Sequence, residues 1–267
     1  MLKNNDLKSP VKNESTRQPG ESSGQQINTL GNIKLIWILF PCFFLVMAIL
    51  EWIQFLMATP SSPLVPTVLT LLAVIFSWWK ISQINEEVKR RELGLEGERE
   101  VADELENLMR KDCYVYHDLQ GESTNGNKFN VDHVVVSTYG IYVIETKAYS
   151  KPRSGRPQID FDGSRVTLAG KLPDAKPIQQ ADNNATWLQN QIRENTSGKT
   201  FPVKAIVVFP GWLVPADQIK NGDRVWVMNP NYLKPTITNA RMTIIPTDVE
   251  LVNTALRPLT RVHRGAT

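Results

Sequence analysis

The sequence predicts a membrane hairpin of two helices followed by an α/β domain built on a mixed β-sheet flanked by helices. Three observations predict it. Two apolar runs with almost no charge fill residues 33–81. Beyond them, helix and strand patterns follow in the order α-β-β-β-β-β-α-β-β-α, which demands a layered sheet-and-helix fold. One of those strands, Val203 to Phe209, is nearly all apolar, as expected of a strand covered on both faces.

Residues 1–32 are polar, rich in Asn, Ser, Gln, Lys and Glu, without an apolar period. Such a segment buries too little apolar surface to offset its ordering entropy, so it is expected to be disordered. Leu35 to Leu50 is uncharged, Glu51 follows, and Trp52 to Trp79 is again uncharged, broken by Pro60-Ser61-Ser62-Pro63. This predicts helices over 33–57 and 64–81, each near the roughly 20 residues that cross a bilayer. The second is short enough for a re-entrant or interfacial hairpin to be the alternative. Trp37, Trp52, Trp78 and Trp79 suit the interfacial belts, and Pro41 is tolerated in such a helix. Glu51 is expected to snorkel to the outer face. Lys3, Lys8, Lys12, Arg17 and Lys34 precede the hairpin, Lys80, Lys89, Arg90 and Arg91 follow it, and its turn has no Lys or Arg. The positive-inside rule then puts both termini in the cytoplasm, with the cell membrane as the location.

Residues 82–260 form the α/β domain and 261–267 a tail. A helix is expected over 82–110, with Gly94 and Gly97 as possible breaks. Strands follow near 113–119, 129–137 and 140–147, then a hairpin over 157–169 turning at Asp162-Gly163. A helix near 175–195, strands at 203–209 and 224–228, and a last helix from Thr247, its N-cap, complete the order.

The chemistry concentrates on the hairpin Asn130 to Lys147. With a loop of Thr138-Tyr139, Ser137 faces Gly140 and Asp132 faces Glu145. With a loop of Tyr139-Gly140, Asp132 faces Lys147 and lies diagonal to Glu145. Both registers place Asp132, Glu145 and Lys147 on one sheet face, because a shift of two preserves the side. Like charges across a sheet repel by about 0.2–1 kcal/mol. A divalent cation between them would remove that cost, since hard oxygens are its preferred ligands. The alternative is a half-exposed hairpin with a cross-strand ion pair. Glu98 adds a third acid. It lies three, four and seven residues before Val101, Ala102 and Leu105, so it shares the apolar stripe of its helix. Glu96, Glu100, Asp103 and Glu106 fall on the solvated side.

Gly94-x-x-Gly97-Glu98, Val131-Asp132-His133-Val134-Val135-Val136 and Gly140-Ile141-Tyr142-Val143-Ile144-Glu145-Thr146-Lys147 resemble, in order and spacing, the nuclease-related domain (NERD) over roughly residues 94–210. The resemblance places the chain in the PD-(D/E)xK restriction-endonuclease-like superfamily and implies that fold. It implies a divalent metal, Mg²⁺ or Mn²⁺, held by Asp132, Glu145 and the carbonyl of Thr146. Glu98 would complete the acidic cluster or bind a second metal. Lys147 would position water or stabilise phosphate charge, and Gln180 of Pro177-Ile178-Gln179-Gln180 would orient the lysine or the water, with Gln179 the competing assignment. The family often has a histidine later in that helix, where this chain has Asn183-Asn184.

Phosphodiester hydrolysis needs an activated water and a cation for the developing charge, so the residue types agree with that reading. No His-Glu-x-x-His, Cys-x-x-Cys or glycine-rich phosphate loop offers a rival chemistry. Of the histidines, His133 points to the face opposite Asp132, His117 lies on the preceding strand, and His263 is in the tail. With 30 basic and 27 acidic residues the chain as a whole does not announce a polyanion partner. Locally, Lys147, Lys151, Arg153, Arg156, Arg165, Lys171 and Lys176 face only Asp160, Asp162 and Asp174 in sequence. A basic loop beside an acidic site suits nucleic acid, with Lys151, Arg153 and Arg156 as the expected contacts; a solvated charged loop is the alternative. Cys42 and Cys113 form no disulfide or metal pattern, in keeping with a reducing compartment. The sequence therefore reads as a membrane-anchored, metal-dependent nuclease with DNA the expected substrate and the lipid bilayer its anchor. A tethered nucleic-acid-binding or signalling module with little catalysis is the alternative. A membrane-disrupting hairpin is disfavoured because its helices lack the polar residues of a pore.

Overall fold

The computed structural model describes residues 17–108, 113–123, 125–169, 171–215 and 223–260. The expected tail with His263, and the N-terminal stretch carrying Lys3, Lys8 and Lys12, lie outside the described residues. The described chain forms two compact units, Glu21–Gly97 with Ala148–Ser150, and residues 17–20 with the remainder from Glu98 onward.

The first unit holds helix α1, Glu21–Leu56, and helix α2, Leu64–Glu106, up to Gly97. Both are long and apolar enough to cross a membrane. Large apolar side chains stand uncovered along them, Phe43 at 67% and Trp78 at 74% exposure. Surfaces of this kind call for an apolar surrounding. The polar stretch expected to lack structure is helical from Glu21. Glu21 sits in the first turn, where an acid favours the helix dipole, and extending an existing helix is cheaper than nucleating one. Nor do Gly94 and Gly97 break α2. Each costs about 1 kcal/mol against alanine, too little to interrupt a helix flanked by Leu93, Leu95 and Glu96. Glu51 is a turn cap: its Oε2 accepts the Ser62 N–H at 2.9 Å. The two helices also meet through Trp52 Nε1, which donates to Thr67 Oγ1 at 3.0 Å, and through the Trp37 and Phe76 rings, 5.4 Å apart.

In the second unit follow β1 (Cys113–Glu122), β2 (Lys128–Ser137), β3 (Gly140–Thr146), β4 (Ile159–Phe161), β5 (Val166–Leu168), α3 (Lys176–Asn195), β6 (Val203–Val208), β7 (Val225–Met228), α4 (Leu233–Thr238) and α5 (Pro246–Leu256). Five strands make a mixed sheet in the order β1-β2-β3-β6-β7. β1, β2 and β3 run antiparallel; β6 is parallel to β3 and to β7. The parallel β3–β6 pair needs a long crossover, and α3 supplies it. β6 is internal, as its apolar run predicts. β4 and β5 form a separate two-stranded sheet. Their turn is the expected one: Asp162 Oδ1 accepts the backbone N–H of Ser164 and Arg165 at 2.9 and 2.8 Å, and Gly163 has φ +99°.

Val101 and Leu105 of α2, with Leu108 just past its end, bury against Val135, Tyr142, Ile144 and Val208 on one sheet face, where α4 adds Leu233 and Ile237. α3 buries Ile178, Ala181, Ala185, Leu188 and Ile192 at helical spacing and packs on β3 and β6. The last helix starts at Pro246, earlier than expected, with Ile245 rather than Thr247 at the cap position. Proline suits the first helical position because its missing N–H would have no partner there. α4 was not expected; a 3₁₀ turn at Pro230–Tyr232 leads into it, capped by Asn229, whose side chain accepts the Asn231 N–H.

Two details of β1 matter below. Gly121 pairs with Phe129 of β2, and a Cβ at Gly121 would stand 2.4 Å from that ring. Asp118 lies between His117 and Leu119, which pair with His133 and Val131. The same register puts Asp118 across from Asp132. Asp118 has φ 51°, a left-handed conformation that aspartate tolerates better than most residues. Its Oδ2 accepts from Arg17 Nε at 2.9 Å and Nη2 at 2.6 Å, and both side chains are 4% exposed.

Candidate active site

The β2–β3 hairpin adopts the first of the two registers: Ser137 pairs with Gly140 and His133 with Ile144. One step further places Asp132 across from Glu145. Gly140 has φ +145°, which an L side chain rarely adopts. The hairpin thus delivers two carboxylates to the sheet face that α3 covers.

Each carboxylate is held. Asp132 Oδ2 accepts the Thr146 N–H at 2.7 Å. Glu145 Oε1 accepts from Lys147 Nζ at 2.8 Å, and Glu145 Oε2 from Asn184 Nδ2 at 3.0 Å. Lys147 Nζ also donates to Gln180 Oε1 at 2.9 Å. The helix partner of the lysine is therefore Gln180; Gln179 makes no such bond. Glu145 is 2% exposed and Lys147 24%, so the ammonium reaches solvent while its carboxylate partner does not.

Burial pushes the Asp132 carboxyl well above the usual carboxylate range, and the charges of Glu145 and Glu98 push it the same way; the Thr146 N–H and Lys147 oppose them. Glu98, part-buried on α2, is thus near enough for its charge to be felt. Burial also raises Glu145, against the pull of Lys147, Asn184 and Gln180. Acids crowded in this way are short of positive charge. Among the described residues, however, no three His, Cys, Asp or Glu side chains form a ready-made metal cage. A small hard cation such as Mg²⁺ takes one or two carboxylates and keeps several waters, so it does not require such a cage. Asp132, still partly open to solvent, and Glu145 fit that donor set.

Asn184 was not singled out as a site residue by the sequence. Its signal was present: it lies four residues after Gln180, on the same helix face. Lys151, Arg153 and Arg156 stand exposed on the loop that leaves β3. Among the described residues Arg153 and Arg156 make no ion pair, and the structure bonds neither to the carboxylates. Lys151 would contact a Cβ at Gly211.

His117 and His133 occupy the opposite face, as the alternation requires. Their Nδ1 atoms are 2.8 Å apart, and His133 is fully buried with Nε2 unbonded among the described residues. Burial lowers His117 from 6.5 to about 4 and His133 well below its usual value. Both rings are neutral in the fold, while the unfolded chain protonates them below about pH 6.5. Stability is thus fully present above that pH and lost as pH falls toward 4. Denaturant unfolding of the parent and of His117→Phe between pH 7 and 5 is expected to show it as a difference, since the raised Asp132 and Glu145 carboxyls add a slope of opposite sign to both proteins. The difference should change by up to about 1.4 kcal/mol per pH unit for each histidine removed from titration; profiles of equal slope would remove the pair as a source.

Residues 93–210 match the family model of the nuclease-related domain, NERD. No curated protein matches the chain. Among solved structures it is similar to the crystal structure of protein VC1899 from Vibrio cholerae, at 10% identity and a TM-score of 0.27, covering 89% of this chain and 58% of that one. This chain therefore spans less than two thirds of that protein's length.

Proposed function

We propose that this chain, which carries a nuclease-related domain over residues 93–210, is a membrane-anchored, metal-dependent nuclease of the PD-(D/E)xK type that hydrolyses phosphodiester bonds, with DNA as substrate, on the cytoplasmic side of the cell membrane. The observation that carries the reading is the convergence at the end of β3. Lys147 Nζ is fixed between Glu145 and Gln180, one residue beyond the N–H that holds Asp132. A lysine pinned at two points and still reaching solvent suits stabilisation of charge on a phosphate, or orientation of the attacking water. Asn184 keeps Glu145 in place, so the lysine is aimed by a rigid helix rather than by its own flexible stem.

Mg²⁺ or Mn²⁺ bound by Asp132, Glu145 and the Thr146 carbonyl, with Glu98 completing the acidic cluster, would supply Lewis acidity to water and phosphate. The exposed cations Lys151, Arg153 and Arg156 would follow the backbone of the bound strand. The full chain in detergent is expected to cut nucleic acid only when Mg²⁺ or Mn²⁺ is added. Comparing single-stranded DNA, double-stranded DNA and RNA identifies the substrate. Binding without metal-dependent cutting of any of them would replace this reading by a tethered binding module.

The uncharged turn and the basic flanks support a hairpin with both ends in the cytoplasm. A cysteine placed at Ser61 in a Cys42→Ser, Cys113→Ser background should react with an impermeant maleimide from outside intact cells, and one placed at Ser154 only after lysis. The reverse pattern would invert the topology and deny the domain its cytoplasmic substrate.

A further inference from the structure

α3 carries a cavity of about 580 Å³ on the side that adjoins the site, within the size range of small-molecule pockets. Two of its wall residues are Gln180 and Asn184, the side chains that hold Lys147 and Glu145. The cavity is therefore next to the place where a scissile phosphate would lie.

Its other walls are chemically specific. Phe129 of β2 and Trp187 of α3 both line it, packed edge to face with ring centroids 5.2 Å apart. Both rings keep part of their surface open. Gln179 and Asn183 also line it, four residues apart on α3 and exposed. Neither side-chain amide has a hydrogen bond among the described residues. Lys176, in the first turn of α3, adds an exposed cation without an ion pair among the described residues.

Flat aromatic surface, free amides and one cation together match a nucleotide. Rings stack on bases, amides pair with base edges, and lysine meets phosphate. An apolar peptide side chain would use the rings and leave two amides and the lysine without a role. A bare anion would use the lysine and leave the rings idle.

The geometry points to a nucleobase subsite: the cavity takes the unpaired base of a nucleotide beside the scissile phosphate. Trp187 stacks on its face, Phe129, at 80° to Trp187, packs against its rim, Gln179 and Asn183 hydrogen-bond its polar edge, and Lys176 meets a neighbouring phosphate. This rests on the nuclease reading above and narrows it. A base that enters the cavity has left its duplex partner, so the strand that is cut is single or locally opened at that point.

The test uses the full chain in detergent, with a single-stranded oligonucleotide, the same strand in a duplex, and a series carrying one abasic position each. Trp187→Ala, and Gln179→Ala with Asn183→Ala, are expected to raise KM for the single strand about 10- to 100-fold while kcat changes far less. Trp187→Phe should restore most of the loss, which separates stacking from misfolding. One abasic position should reproduce the Trp187→Ala defect and add nothing to it in combination. Metal-dependent cutting that ignores both Trp187→Ala and every abasic position overturns the subsite and leaves the nuclease reading standing. Strand binding measured by anisotropy in EDTA gives the converse: Trp187-dependent binding by a protein that never cuts keeps the subsite and removes the nuclease. Neither cutting nor Trp187-dependent binding removes both.

Discussion

Asp132→Asn is expected to abolish metal-dependent cleavage while making the metal-free protein more stable. The two effects have one origin. Asp132 is crowded by Glu145 and Glu98 and is deep enough that its carboxyl is pushed well above the ordinary range. A carboxyl raised in the fold favours folding below its unfolded value and loses that contribution as pH rises through the folded one. At neutral pH the metal-free domain therefore carries strain that an amide would relieve, since the amide keeps the shape and can neither repel Glu145 nor bind a hard cation well. Unfolding in EDTA should show Asp132→Asn with the higher midpoint. Added Mg²⁺ or Mn²⁺ should stabilise the parent protein by about 2.7 kcal/mol when present at a hundred times its dissociation constant, and Asp132→Asn by almost nothing. Cleavage should drop at least about 10²- to 10³-fold, the scale seen when a charge-stabilising group is removed. Lys147→Ala should lose activity on the same scale yet keep its metal-induced stabilisation. An equal loss of metal response in both variants would contradict the division of labour between them.

Arg17→Met is expected to destabilise the α/β domain by about 3–5 kcal/mol, the cost of stripping one partner from a buried ion pair. For a domain of this size that corresponds to a midpoint lower by about 6–20 °C. The guanidinium binds Asp118 through two nitrogens, and both side chains are almost fully covered. Without it a carboxylate stays buried next to β2, across from the acidic cluster. Arg17→Met combined with Asp118→Asn should recover most of the loss, because asparagine removes the charge and still accepts the left-handed backbone at that position. A double variant as unstable as the single one would show that packing, and not the buried charge, sets the cost.

Much of the site was legible in the sequence because it is local. A turn at Thr138-Tyr139 and the two-residue period of a strand are enough to put Asp132, Glu145 and Lys147 on one face. Helical spacing alone turns Glu98 toward the core, and its charge is felt at Asp132. What escaped was set by packing or by distance. Asn184 looked like the absence of a histidine, although it stands four residues from Gln180 and binds the buried Glu145. The Arg17–Asp118 pair joins positions 101 apart, for which no local pattern exists. Residues 21–32 read as disordered because composition reports solubility, whereas a helix already formed beyond them carries them along. α4, six residues long, is too short for an apolar period to show.

The contact between Gly121 and Phe129 makes one position into a control knob. A Cβ there would strike the Phe129 ring, and that ring lines the cavity beside the site. Gly121→Ala would therefore redraw the cavity wall from outside the acidic cluster, leaving Asp132, Glu145 and Lys147 untouched. On the proposed reading, a single methyl group on an edge strand would vary substrate choice while holding bond-breaking power constant.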